Sequence, residues 1–182
     1  MTIIRKMRLP IALFIIGVGA MGSPTRASNW SMNGSSCIPN DTAANQYFVT
    51  AGSVTHRTNS LSRLIFYCPI TNTWGSYKPT KLIMTYMDNR PLDELRREDA
   101  HITAQVIRLV ASNGTLTTIS GVLHNDRDPE LIGRRVEIPL NAHTFDFKNS
   151  YYYVRVDITR KSAAGFAKLF GVSLSCATCP AN

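Results

Sequence analysis

The sequence predicts an all-β fold: an antiparallel β-sandwich of jelly-roll type with about eight strands and one or two short helical turns. Three observations support this prediction. Apolar residues recur at every second position in several segments, and turn-forming residues separate these segments. No segment has the length and periodicity of a helix that would connect parallel strands.

The N terminus is typical of a cleavable signal peptide. Arg5, Lys6 and Arg8 precede an apolar run over residues 9–22, which is shorter than the roughly 20 residues of a membrane-spanning helix. The small residues on either side of Arg26 fit a cleavage site. We therefore predict a signal peptide over residues 1–27, a single domain over residues 28–182, and a secreted or periplasmic location; a retained membrane anchor is the less favoured interpretation.

The clearest strand covers residues 150–160. Apolar and polar side chains alternate there, which is typical of a strand with one buried face. The apolar set is Tyr152, Val154, Val156 and Ile158, and the other set is Tyr153, Arg155, Asp157 and Thr159.

Two further segments alternate in the same way, and less regular runs supply the remaining strands. Residues 134–140 form the first segment, and in the second we expect one face to hold Phe170, Val172, Leu174 and Cys176. The less regular runs cover residues 46–54, 61–70, 80–88, 102–111 and 116–123.

Turn signals and brief helical patterns separate the strands. Residues 112–115 contain Asn113-Gly114, which predicts a hairpin because both residue types tolerate a positive φ. Residues 91–98 begin with proline and place acidic before basic residues, as short helices do. Residues 128–131 are predicted to form a single capped turn.

The charge of the predicted mature domain argues against nucleic-acid binding. The formal net charge of +8 falls to +4 when the four basic residues of the signal peptide are removed. The remaining basic residues are scattered among acidic ones and do not form an aromatic-interleaved patch. We expect no nucleic-acid partner and no membrane span after signal cleavage.

Four cysteines in an exported chain predict disulfides, although three connectivities are open. We favour Cys37 with Cys68, because this bridge would attach a polar N-terminal stretch to a predicted core strand. Cys176 and Cys179 form a C-x-x-C motif. A redox site would need this motif at the start of a helix, but a strand precedes it. Zinc would need two further ligands from Cys37, Cys68 or a histidine, and an oxidising compartment competes for these thiols. We therefore predict a terminal disulfide.

No catalytic or cofactor motif stands out, and we predict no catalytic residue and no cofactor. The four histidines lack the spacing of a helical metal pair, and no nucleophile elbow is present. Weak calcium candidates are Asp126, Asp128 and Glu130, whose oxygens suit Ca²⁺ but lack the spacing of an EF-hand loop. A plain charged turn is the favoured interpretation.

Aromatic residues offer a second kind of candidate site. An exposed aromatic ring can stack on the apolar C–H face of a sugar, and Trp74 with Tyr77 in one loop is the ligand-binding pair that we predict. Packing is the competing explanation, because Tyr and Trp are common in strands. The residues considered are Trp30, Trp74, Tyr77, Tyr86, Tyr151 and Tyr153.

Three segments resemble a group of small exported Gram-negative bacterial proteins without an assigned function. They are residues 35–39 (SSCIP), residues 67–70 (YCPI) and residues 151–156 (YYYVRV). The resemblance implies a secreted or periplasmic β-sandwich and no chemistry. It does not extend to the second disulfide, because this chain lacks a cysteine in the strand over residues 151–158.

The sequence therefore predicts a non-enzymatic, exported module that binds a partner or has a structural role in the periplasm, envelope or extracellular space. One alternative is a carbohydrate-binding module that uses exposed aromatics. The other is a hydrolase whose site is assembled across strands. The partner is an unknown protein or glycan, and the oligomeric state is not predicted.

Overall fold

The computed structural model describes residues 30–43, 45–57, 60–72, 78–89, 100–125 and 130–176. The predicted signal peptide and the predicted helix over residues 91–98 lie outside these ranges, so both stay predictions. Among the described residues, no helix is long and apolar enough to cross a membrane.

Twelve strands and two short 3₁₀ turns make up the regular structure of the described residues. The turns are Gly34–Ser36 and Asp41–Ala43. The strands are β1 (Trp30–Asn33), β2 (Ile38–Pro39), β3 (Tyr47–Thr50), β4 (Ser53–His56), β5 (Arg63–Pro69), β6 (Lys81–Asp88), β7 (Ala100–Val110), β8 (Leu116–Thr118), β9 (Leu123–His124), β10 (Glu130–Pro139), β11 (Ser150–Arg160) and β12 (Ala167–Ser175).

The strands form two sheets, and every strand pair among the described residues is antiparallel. Sheet A has the order β10-β6-β12-β4-β3, and β1 also pairs with β12. Sheet B has the order β2-β5-β11-β7-β8, and β9 also pairs with β7. The predicted antiparallel β-sandwich is confirmed.

The strand count exceeds the predicted eight because two predicted runs are each divided, and because β1 and β2 lie in an N-terminal stretch where no strand was predicted. Residues 46–54 form the hairpin β3–β4, which turns at Ala51 and Gly52 with φ values of 46° and 81°. Residues 116–123 contain β8 and the first residue of β9. The predicted turn at residues 112–115 joins β7 to β8, with Gly114 at a φ of 70°.

The predicted helical turn over residues 128–131 is wrong in its second half. Glu130 begins β10 and lies opposite Asp88 of β6, so pairing with sheet A extends this segment instead of coiling it. The 3₁₀ turns that the structure does contain lie in the N-terminal stretch, where the sequence pattern did not predict them.

The core lies between the inner faces of the two sheets. In β11 the predicted alternation is confirmed, since Tyr152, Val154, Val156 and Ile158 are at most 2% exposed. Burying each large apolar side chain contributes roughly 1.5 to 3 kcal/mol. Sheet A contributes Trp30, Val54, Leu82, Met84, Tyr86, Leu169, Val172 and Leu174, and sheet B also contributes Leu64, Phe66, Ile102, Ala104 and Val106.

Phe170 does not share the inner face of β12, which corrects the predicted alternation. The pairing of β12 with β6 shifts register between Leu169 and Gly171. This β-bulge inserts one residue, so Leu169 points into the core and Phe170 does not. The Phe170 ring packs under the Lys168 ammonium group, 5.4 Å from its centroid.

The predicted bridge between Cys37 and Cys68 is confirmed, with a Cα–Cα distance of 4.3 Å. It attaches the segment between β1 and β2 to β5. Because β1 belongs to sheet A and β2 to sheet B, this segment passes from one sheet to the other. Cys176 is also disulfide-bonded; residue 179 lies outside the described residues, so its pairing stays a prediction.

Candidate ligand-binding face

Most of the site residues predicted from sequence lie outside the described residues. Trp74, Tyr77, Asp126 and Asp128 are among them, and Glu130 is described only as the first residue of β10. Within the described ranges, no group of three or more His, Cys, Asp or Glu side chains could hold a metal ion. The loop aromatics and the calcium candidates therefore stay predictions.

The aromatic residues that the structure does describe divide into two groups. Trp30 and Tyr86 are 3% and 0% exposed, so packing explains both. Tyr151 and Tyr153 point away from the core, and Tyr151 is 66% exposed. The aromatic candidates that remain lie on the outside of sheet B.

The outer face of sheet B consists of the outward-facing positions of β5, β7 and β11, with β2 and β8 at its edges. One end of this face, the tyrosine end, contains Tyr67, Tyr151 and Tyr153. Tyr67 and Tyr153 contact each other edge to face, with ring centroids 5.4 Å apart and planes at 87°. Burial raises the pKa of Tyr153 above its usual value, and the neighbouring Tyr67 adds to the shift.

Two grooves flank the contact between Tyr67 and Tyr153. The larger, of about 430 Å³, lies towards Ile70, Phe147 and Tyr151. The smaller, of about 270 Å³, lies towards Ile107, Leu116 and Arg155. Tyr67 and Tyr153 line both grooves, so the two grooves are adjacent on this face.

Exposed apolar side chains mark the two edges of this surface. Ile38 of β2 is 59% exposed, and Leu116 of β8 is 61% exposed. Five adjacent strands spaced by about 4.8 Å place these edges roughly 19 Å apart. The tyrosines therefore lie in the middle of an apolar strip that crosses sheet B.

Charged residues form the other end of the face, the arginine end. Arg63 Nε donates to Asp157 Oδ1 at 3.0 Å, and Arg155 Nε lies 3.2 Å from Asp157 Oδ2. The Asp157 carboxylate is only 15% exposed, whereas Arg155 is 36% exposed and Arg63 is 56% exposed. Two guanidinium groups thus share one carboxylate and keep access to solvent.

Two histidines extend the arginine end. His101 of β7 and His124 of β9 stack with ring centroids 5.8 Å apart and planes at 7°. Burial lowers the pKa of His101 below its usual value; the adjacent His124 adds to this effect and Asp157 opposes it. The imidazoles add aromatic surface beside the ion pairs.

The other two histidines lie away from this face. His56 is buried in β4, with 5% of the residue exposed. His143 Nε2 lies 3.1 Å from the Tyr152 hydroxyl, next to a groove of about 390 Å³ lined by residues 78–80 and 140–144. Burial and the nearby Arg108 lower the pKa of His143. Among the described residues, the ionisable side chains that line this groove are Lys78 and His143.

Sequence analysis missed Tyr67 and the joint role of Arg63, Arg155 and Asp157. A signal for Tyr67 was present, because it alternates with the buried residues Leu64, Phe66 and Cys68. Such alternation gives the face but not the neighbour on the next strand. The pairing of Tyr67 with Arg155 depends on the register between β5 and β11.

Comparisons with known proteins leave the family of this chain open. No family model matches it, and no curated protein matches it. The resemblance to exported Gram-negative proteins therefore gains no support beyond the β-sandwich that it implies.

Several solved structures are similar in fold at low identity. The xylan-binding module CBM15 shares 12% identity, with a TM-score of 0.45 over 82% of this chain and 96% of that chain. TmCBM61, in complex with β-1,4-galactotriose, shares 6% identity, with a TM-score of 0.40 over 84% and 91%. A family two carbohydrate esterase from Cellvibrio japonicus shares 13%, with a TM-score of 0.32 over 87% and 34%. At these values the matches carry no conclusion about function.

Proposed function

We propose that this protein is a non-catalytic glycan-binding module and that the outer face of sheet B is its binding surface. The observation that carries the proposal is the tyrosine end: Tyr67 and Tyr153 in contact between two grooves, with the exposed Tyr151 beside them. Rigid aromatic rings on a sheet present apolar area at little cost in conformational entropy.

The chemistry of this face suits a sugar chain. The C–H face of a pyranose is apolar and stacks on an aromatic ring, while its hydroxyls need hydrogen-bond partners. The smaller groove supports this proposal, because Tyr153 lines it together with the polar side chains of Gln105, Thr117 and Thr118. A small number of polar groups around an apolar surface is the usual composition of a ligand site.

The groove volumes and the width of the sheet favour an extended ligand. The two grooves share the side chains of Tyr67 and Tyr153, and the apolar strip runs across five strands. A chain of several sugars would contact more of this strip than a single sugar would. We therefore propose a polysaccharide as the ligand.

Export is part of the proposal. The predicted signal peptide would deliver the domain to the periplasm or beyond, where polysaccharides of the envelope and surroundings are accessible. The bridge between Cys37 and Cys68 is consistent with an oxidising compartment.

A protein partner is the second candidate, and the exposed Ile38 and Leu116 favour it. Large apolar side chains at both edges of one face are a feature of interaction surfaces. A glycan panel distinguishes the two candidates, since a protein-binding surface would retain no polysaccharide.

Substituting Tyr153→Ala tests the glycan proposal. Loss of one stacking ring is expected to weaken retention in affinity electrophoresis by about tenfold or more, since aromatic contacts at binding hot spots contribute about 2 kcal/mol. Phe48→Ala is the matched control, because Phe48 is a 47% exposed aromatic in sheet A. The proposal fails if no polysaccharide in a broad panel retards the wild-type protein, or if both variants weaken binding equally.

A further inference from the structure

The arginine end directly adjoins the tyrosine end. In the register between β5 and β11, Arg155 lies opposite Tyr67, and it is two residues from Tyr153 on the same strand. Residues two apart on a strand share a face and are separated by about 7 Å. Arg155 also lines the smaller groove together with both tyrosines. A ring stacked on either tyrosine would therefore have its substituents close to the guanidinium group.

The guanidinium of Arg155 is only partly used by the protein. Its Nε and Nη2 face Asp157, at 3.2 Å from Oδ2 and 3.4 Å from Oδ1. Within the described chain, Asp157 is the only carboxylate that pairs with it. Of these two nitrogens only Nη2 donates a hydrogen bond to Asp157, because Nε has no hydrogen-bond partner among the described residues. A guanidinium carries five N–H donors in a planar fork, so its other edge can donate to a second carboxylate.

The charge balance of the face points in the same direction. Among the outward positions of the described strands of sheet B, Arg63 and Arg155 are basic and Asp157 is acidic. One positive charge is left over, and both guanidinium groups reach solvent. A neutral sugar would leave this positive charge unbalanced, whereas a negatively charged group on the ligand would neutralise it.

We propose that the glycan bound by this face is an acidic polysaccharide, whose ring carboxylates pair with Arg155 while its sugar rings stack on Tyr67 and Tyr153. This inference rests on the proposed function and adds the chemical class of the ligand. Arg63 also pairs with Asp157. Because one carboxylate is divided between two guanidinium groups, it does not fully neutralise Arg155.

The test compares two polymers that share one sugar backbone: polygalacturonate, whose carboxyl groups are charged, and its fully methyl-esterified form, whose carboxyl groups are neutral. Isothermal titration calorimetry at low ionic strength is expected to give the wild-type protein at least about tenfold tighter binding to the acid, because hydrogen bonds to charged groups are the stronger class. This preference should shrink as sodium chloride is added. Equal affinity for the two polymers overturns the inference.

Arg155→Gln is the decisive variant, and Arg135→Gln is its matched control. Arg135 is an exposed arginine of β10 in sheet A, so both variants lose the same charge from opposite sides of the molecule. Arg155→Gln should lose the preference, so that its affinities for the acid and the ester become equal, and Arg135→Gln should behave as the wild type. An equal loss in both variants would indicate attraction to the net charge of the protein and overturns the inference.

Three readouts keep the inference separate from folding defects and from the proposed function. Arg155→Lys retains the charge without the fork, so it should recover part of the preference if the fold is intact. Polyglutamate supplies carboxylates without sugar rings, and binding as tight as that of polygalacturonate overturns the inference. If the wild-type protein binds acid and ester equally and Tyr153→Ala weakens binding to both, the proposed function holds and the inference about acidic ligands fails. If the wild-type protein binds neither polymer and no neutral glycan, the proposed function and the inference both fail.

Discussion

His56 is a buried titratable side chain, and one of its two ring nitrogens makes a hydrogen bond. Its Nε2 lies 2.8 Å from the Ser62 carbonyl oxygen, which can only accept, so the proton of the neutral ring is on Nε2. Among the described residues Nδ1 has no hydrogen-bond partner. Protonating Nδ1 would therefore place a charge in the interior, and the nearby Arg160 would repel it. Burial, with this repulsion, lowers the pKa of His56 to about 4.

The lowered pKa makes stability depend on pH. In the unfolded chain His56 titrates near its ordinary value of 6.5, so below that pH the unfolded state binds a proton that the folded state rejects. Stability should fall as pH drops from about 6.5 to about 4, by up to roughly 3 kcal/mol. His56→Gln should show a shallower fall in urea unfolding measured at both pH values. Parallel curves for the two proteins would contradict this assignment.

The strand β12, which contains the bulge, pairs with three neighbouring strands. Along one edge β12 pairs with β6, and along the other it pairs first with β4 and then with β1. Gly171 lies where the partner of β12 changes from β4 to β1, and it is opposite Asn33 of β1. A Cβ at Gly171 would lie 2.7 Å from the Met32 carbonyl oxygen, so the absence of a side chain lets β1 approach.

Gly171→Ala should therefore destabilise the protein by about 1 to 3 kcal/mol, the usual cost of forcing extra volume into a packed site. Gly121→Ala is the control, because its added Cβ would meet only the Ile138 side chain at 3.7 Å. Urea midpoints measure both effects. The interpretation is wrong if the two variants lose the same stability.

The bulge also illustrates which parts of the fold the sequence can and cannot predict. Period-two alternation is local, so it placed Tyr153, Arg155 and Asp157 on one face of β11 and Val154 and Val156 on the other. The position of Phe170 depends on a shift in the pairing of β12 with β6, a strand about 80 residues earlier in the chain. No local pattern reports such a contact. For the same reason the sequence did not show that Tyr67 and Arg155 would be neighbours.

At the scale of the whole molecule, the disulfide of Cys37 and Cys68 reinforces the passage from sheet A to sheet B. The loop that it closes spans a sequence separation of 31 residues. In the chain-entropy model a loop of this length contributes about 3 to 4 kcal/mol by restricting the unfolded chain.

The double variant Cys37→Ala, Cys68→Ala should lose about that much stability in denaturant unfolding. The predicted C-terminal pair encloses only a few residues, so the double variant Cys176→Ala, Cys179→Ala should lose clearly less stability.

Intact-mass analysis of the exported protein should also find a chain that begins near Ser28 and has no alkylatable thiol. Equal losses in the two double variants, or free thiols in the exported protein, would refute this account.

The first and last strands of the described chain are neighbours, because β1 lies beside β12 in sheet A. A polypeptide that emerges N terminus first cannot close this sheet until its final strand has been delivered, and such long-range pairing is intrinsically slow. During synthesis β1 therefore has no neighbouring strand until β12 has emerged. The topology thus postpones completion of sheet A until nearly all of the described chain has been synthesised.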